Sequence, residues 1–150
     1  MKIIFCLEWL KAKDSVSRGF KSSNSFGLFS DYTNRINKFT QCQVIGTSLA
    51  AVPKQITVWL CDRGTGSKIL SSEDIARQME RLQDTAVKEL RIYVGGPAGF
   101  ASERLELLKP DIKWCFGAMT LPHELAAVIA AEQIYRSWTI LKNLPYHKAH

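Results

Sequence analysis

The sequence predicts an α/β domain with a mainly parallel sheet flanked by helices. Three observations carry that expectation. From residue 55 onward, short apolar runs of strand length alternate with stretches whose apolar residues recur every three or four positions. The runs end at turn-forming residues such as Asp62, Gly95 and Gly117, which leaves room for a helical crossover before the next strand. The chain has 150 residues, 46% of them apolar, which suits one core and one domain spanning 1–150.

The elements follow in order. Residues 2–7 read as a buried strand. Glu8 interrupts the apolar run, and no clean small-residue cleavage site follows, so a strand is expected there rather than a secretion signal. Residues 14–38 are rich in Ser, Asn and Gly, with a helix expected only over Asp31–Ile36 because Gly19 and Gly27 weaken the upstream pattern. Cys42–Ile45 reads as a short strand and Gly46–Pro53 as a loop. Gln55–Cys61 is a strand stopped by Asp62-Arg63-Gly64. Ser71, with Asp74 three residues on, forms a capping-box signature for a helix through Ile75, Met79, Leu82 and Ala86. Leu90–Val94 is the next strand, Ser102–Leu108 a short helix and Ile112–Phe116 a further strand. Pro122 suits a first helical position, and a long helix follows to about Lys142.

That last helix carries Leu125, Val128, Ile129, Ile134, Tyr135, Trp138, Ile140 and Leu141, which cover more than one face. Such a helix is covered on both sides. A subunit interface and a central core position both satisfy this, and the interface is favoured.

Net charge of +6 favours a polyanionic partner such as nucleic acid. No apolar run is long enough for a membrane span. The four cysteines, Cys6, Cys42, Cys61 and Cys115, are widely separated, which fits reduced thiols in a cytoplasmic protein and offers no paired metal-ligand spacing.

Two loops stand where an open parallel sheet binds ligands, at the C-terminal ends of strands. Val94-Gly95-Gly96-Pro97-Ala98-Gly99 lets backbone approach a ligand closely, although a tight turn alone explains it equally well. Phe116-Gly117-Ala118-Met119-Thr120-Leu121-Pro122-His123 combines small residues with an apolar side chain, as an adenine slot requires. Leu60-Cys61-Asp62 supplies a third edge. The tail Asn143-Leu144-Pro145-Tyr146-His147-Lys148-Ala149-His150 brings together an aromatic ring, a titratable group and a cation on what reads as a mobile segment.

Taken together, Gly95-Gly96-Pro97-Ala98-Gly99, Thr120-Leu121-Pro122-His123, Tyr135-Arg136-Ser137-Trp138 and Pro145-Tyr146-His147 resemble the ribosomal large-subunit methyltransferase H family of the SPOUT superfamily. The similarity runs from about Gln55 to the C-terminus and is loose before that. It implies a SPOUT-type trefoil-knotted sheet, a homodimer, and S-adenosyl-L-methionine as cofactor, with the cytoplasm as location. Its implied substrate is N3 of a pseudouridine in large-subunit rRNA within assembled ribosomes, with no membrane and no metal involved. The cofactor would touch Leu60, Gly95, Gly96, Phe116, Gly117, Ala118, Met119, Thr120 and Leu121.

Removing the N3 proton calls for a base or polarising donor, for which His123 and His147 are candidates. His123 as a mere loop-shaping residue fits as well. Tyr146 could stack on the base. Arg136 could meet RNA phosphate or pair with Glu132 one turn earlier. Two alternatives fit the same residues: a ribosome-binding member of the fold without catalysis, and a SPOUT methyltransferase acting on tRNA. The chain departs from the family by about one helix too few residues between Ile45 and Gln55, and by Ala127 where relatives commonly carry Arg. One helical turn separates Ala127 from His123, so that Arg is expected near the site.

Overall fold

A computed structural model describes residues 1–48, 50 and 52–148. Its six strands are β1 (Lys2–Lys11), β2 (Cys42–Thr47), β3 (Ile56–Cys61), β4 (Lys68–Ile69), β5 (Glu89–Val94) and β6 (Ile112–Cys115). The helices are α1 (Val16–Gly19), α2 (Ser23–Ile36), α3 (Ser72–Asp84), α4 (Ser102–Leu108) and α5 (His123–Leu141). All strands pair in parallel, in the spatial order β2-β1-β5-β3-β6-β4.

Alternation along β1 sets the two layers. Ile3, Phe5 and Leu7 join one core with Trp59, Leu90, Ile92, Trp114 and the buried residues of α2, α3 and α5. Ile4 and Cys6 face the other way, onto Val58, Leu60, Tyr93 and Leu108 of α4. Strands buried on both faces read as unbroken apolar runs, which is the signature of a parallel sheet. The register of β6 on β3 is fixed by a reciprocal pair of bonds. Val58 N–H donates to the Asp111 carboxylate at 2.8 Å, and Asp111 N–H donates to the Val58 carbonyl at 2.8 Å.

Several sequence expectations need correction. The helix expected over Asp31–Ile36 begins eight residues earlier, at Ser23. Ser22 caps it by accepting from the Ser25 N–H, and Gly27 is accommodated on its exposed side. β1 continues past Glu8 to Lys11, with a register irregularity against β2 after Cys6. Gly46 and Thr47 belong to β2 rather than to the following loop. The two-residue strand β4 and the single turn α1 are too short to leave a periodic pattern. Ala86 lies beyond α3 in the left-handed region, at φ 58°.

Helix α5 packs with α2 and α3 and over β5. Its buried residues, including Ala127, Val128, Ala130, Ala131, Ile134 and Trp138, are therefore covered within one chain. That side of α5 is core, whereas Leu125 stays 42% exposed and Ile129, Tyr135, Ile140 and Leu141 are half-buried, so the chain's own fold leaves part of the apolar pattern uncovered. Ala127 is 0% exposed. Its side chain lies in the core, while the neighbouring Ala126 reaches the cavity described below.

The capping box at Ser71 is present in full. The Ser71 hydroxyl accepts from the Asp74 N–H at 3.0 Å, and the Asp74 carboxylate accepts from the Ser71 N–H at 3.0 Å. Ser71→Ala is expected to cost about 1 kcal/mol of stability. A urea titration would show a lower midpoint with an unchanged slope.

Candidate active site at the sheet's C-terminal edge

The C-terminal ends of β5, β3 and β6 lie side by side in the sheet and open onto a cavity of about 660 Å³. The two loops singled out from the sequence face each other across β3 rather than following adjacent strands. One wall is Val94–Phe100, the other runs from Met119 to His123, and Cys61, Asp62 and Arg63 close the space between them. Trp114, Phe116 and Ala126 complete the lining.

Local chemistry shapes each wall. Gly99 donates its N–H back to the Gly96 carbonyl at 2.9 Å and sits at φ 73°, a region that favours glycine. A Cβ on Gly95 would stand 3.0 Å from the Phe100 ring, so glycine lets that ring fold down as part of the wall. On the far side Gly117 turns at φ 115°. An Arg63 guanidinium N–H donates to the Thr120 hydroxyl, tying the loop after β3 to the loop after β6.

His123 opens α5 and lines the cavity. Its ring packs edge-on against Trp9, with centroids 4.6 Å apart. Trp9 in turn donates its indole N–H to the Gly19 carbonyl at 2.8 Å. Glu124 is buried, 3.8 Å from the His123 Nε2, and accepts from the Lys21 and Ser22 N–H groups at 3.0 and 3.1 Å. Those two backbone bonds compensate the carboxylate for its lost hydration.

Of the expected cofactor residues, Gly95, Gly96, Phe116, Met119, Thr120 and Leu121 line the cavity, while Leu60, Gly117 and Ala118 do not. Leu60 is 0% exposed in the second core, and its neighbour Cys61 provides the lining instead. Trp9 and Glu124 had no motif of their own in the sequence, while Arg63 and Phe100 lay at the ends of motifs without being expected in the site. Only the chain's folding brings Trp9 and Glu124 to His123.

Of the other three expected catalytic residues, none lines this cavity. Arg136 lies 13 residues along α5 from His123, about 20 Å of helix axis. There it pairs with Glu132 at 2.6 Å, the ion pair weighed as the alternative to RNA contact, with both side chains mostly buried. Tyr146 donates to Glu132 at 3.0 Å and lies under the Arg136 guanidinium, 4.8 Å from ring centroid to carbon. His147 bridges Arg136 at 3.1 Å and Glu73 at 2.8 Å. The tail as described, through residue 148, thus docks between α3 and α5. Among the described residues, no three His, Cys, Asp or Glu side chains gather as a metal site requires.

The family described as predicted SPOUT methyltransferase matches residues 46–147. The chain belongs to the SPOUT methyltransferase family. Relatives named ribosomal RNA large subunit methyltransferase H include one from Xanthomonas euvesicatoria pv. vesicatoria, 41% identical over 101 residues. That match covers 67% of this chain and 62% of the relative. The relative from Teredinibacter turnerae is 30% identical over 80% of this chain and 88% of its own length. The one from Magnetococcus marinus is 31% identical, over 89% and 96% respectively. The chain thus spans less than two thirds of the first of these and nearly all of the last.

Burial, the hydrogen bonds with Tyr32 and Glu132, and the charge of Glu132 all hold the Tyr146 phenol well above its ordinary value. A raised phenol stabilises the folded chain fully below the unfolded value of about 10, and that contribution is lost as pH rises through the folded value. Glu132→Gln removes the carboxylate and leaves the guanidinium beside the ring. Ultraviolet difference titration is then expected to show Tyr146 ionising at lower pH than in the parent chain.

Proposed function

We propose that the chain binds S-adenosyl-L-methionine in this cavity and methylates N3 of a pseudouridine in large-subunit rRNA, within assembled ribosomes in the cytoplasm. The observation that carries the reading is the pair of loops, 94–100 and 116–123, enclosing a cavity beside His123 in a chain of the SPOUT methyltransferase family. The names of the relatives point to the substrate class.

The residues present suit the cofactor. The volume of about 660 Å³ lies within the roughly 300–1,000 Å³ usual for small-molecule sites. Val94, Phe100, Phe116 and Leu121 offer apolar surface to an adenine ring, and the glycine loop brings backbone close to it. Bound there, the cofactor supplies the electrophilic methyl group. The protein holds the acceptor in line and excludes water. His123, held edge-on by Trp9, stands at the cavity wall as a group able to take the N3 proton. Arg136, Tyr146 and His147 can act on a substrate only where a second copy brings them to the cavity, so a catalytic role for them goes with the homodimer. The trefoil knot belongs to the same proposal.

The deciding experiment is transfer of labelled methyl to ribosomes lacking the modification, followed by mapping of the product base. Label at pseudouridine N3 is expected. Transfer to tRNA instead, or cofactor binding without transfer, would favour the tRNA or the catalytically silent reading. Gly95→Val displaces Phe100 into the cavity and is expected to weaken cofactor binding by about tenfold or more, or ~1.4 kcal/mol. Unaltered affinity by titration calorimetry would remove Gly95 from the site. Arg136→Ala is expected to keep cofactor affinity while losing transfer by about 10²-fold or more. Mixing Arg136→Ala with His123→Ala chains is expected to restore part of the activity through mixed dimers.

A further inference from the structure

The Ser-rich stretch after β1 has no part in the chemistry above, yet Trp9 and Glu124 tie it to His123 on the cavity wall. Between Lys11 and Lys21 it carries four cations, Lys11, Lys13, Arg18 and Lys21, against the single carboxylate Asp14. All four are exposed. Among the described residues, none of their side chains pairs with a carboxylate, unlike Arg35, Arg77, Arg91, Arg104 and Arg136. The exposed hydroxyls of Ser15, Ser17, Ser22 and Ser23 are interspersed among them.

The stretch is anchored beside the cavity from three directions. β1 delivers it to the sheet edge where β3, β5 and β6 end. The Trp9 indole joins the Gly19 carbonyl to the His123 ring, and Trp9 lies 3.4 Å from where a Gly96 Cβ would stand. The buried Glu124 holds the Lys21 and Ser22 backbone. A run of free cations with hydroxyl donors, fixed to the wall of a site for a nucleic-acid base, has the chemistry of a phosphate-binding surface.

We propose that Lys11–Lys21 is a rim that seats the phosphate backbone of the RNA flanking the target base. The inference rests on an RNA substrate as proposed above and adds where that RNA lies. Phosphate contacts of this kind set register and orientation, and leave recognition of the base to the cavity.

The test uses the full chain and an unmodified stem-loop transcript of large-subunit rRNA. The rim variant carries Lys11→Gln, Lys13→Gln, Arg18→Gln and Lys21→Gln, and its unfolding midpoint is compared with the parent's. A matched variant carries Lys38→Gln, Lys54→Gln, Lys88→Gln and Lys109→Gln. Those four lysines are exposed and lie among the connections entering β2, β3, β5 and β6, at the opposite edge of the sheet. Neutralising the rim is expected to weaken binding roughly a hundredfold at ~0.1 M salt and to flatten the slope of log K against log salt by about 3. The matched variant is expected to change little. Equal losses in both variants, or none in the rim variant, would overturn the proposal. So would tighter binding of the parent chain to phosphatidylserine vesicles than to the transcript. Methyl transfer separates this inference from the one beneath it. If the parent chain transfers no methyl but the rim variant alone loses RNA, the rim stands and the activity falls. If transfer to ribosomes proceeds with an unchanged KM in the rim variant, the activity stands and the rim falls.

Discussion

Strand direction is the constraint on which the rest of this structure depends. Every strand pairs in parallel, so every connection must cross over the sheet, and all the strands end at the same edge. With β3 seated between β5 and β6, three strand ends and their loops converge without any of those loops having to be long. The cavity follows from this arrangement. Its floor is the pleated end of the sheet, and its walls are turns that leave the strands in one direction. The reciprocal bonding of Val58 and Asp111 sets the depth at which β6 meets β3 and so the height of the loop after it.

Much of this was legible because parallel strands and capped helices leave strong local patterns. The run 56–61 is apolar apart from Thr57, the runs 89–94 and 112–115 are apolar on one face, and α3 announces itself through Ser71 and Asp74. The two glycine-bearing loops could be placed at strand ends for the same reason. Strand order was not legible, since which run lies between which others depends on crossovers that leave no periodic trace. The start of α2 was hidden because Ser, Asn and Gly weaken a helical pattern, whereas the structure supplies a cap at Ser22 and packing at Phe29 and Ile36. Helix α5 shows the limit of patterning most clearly. A two-sided apolar helix says that two surfaces cover it, but not whether they belong to the same chain.

Of the expected site residues, most of those read from loops line one cavity, and those read from the tail lie elsewhere in the same chain. The tail motif is a hydrogen-bonded cluster in its own right, with Glu132 accepting from Arg136, Gln133 and Tyr146. Sequence distance gave no sign that Tyr146 would dock so far from His123. Conversely, Trp9 packs on His123 from 114 positions upstream, too far for any spacing rule to connect the two.

That reach bears on how the chain can be cut and recombined. The family model matches from residue 46, yet the strand lying between β2 and β5 begins at residue 2. A transplant of residues 46–147 would leave β5 with a bare edge and His123 without its indole neighbour. It would also leave Glu124 as a buried carboxylate stripped of both amide donors. The unit of exchange is therefore the two halves together, because Trp9, Gly19 and the Lys21–Ser22 backbone hold His123 and Glu124 from the N-terminal side.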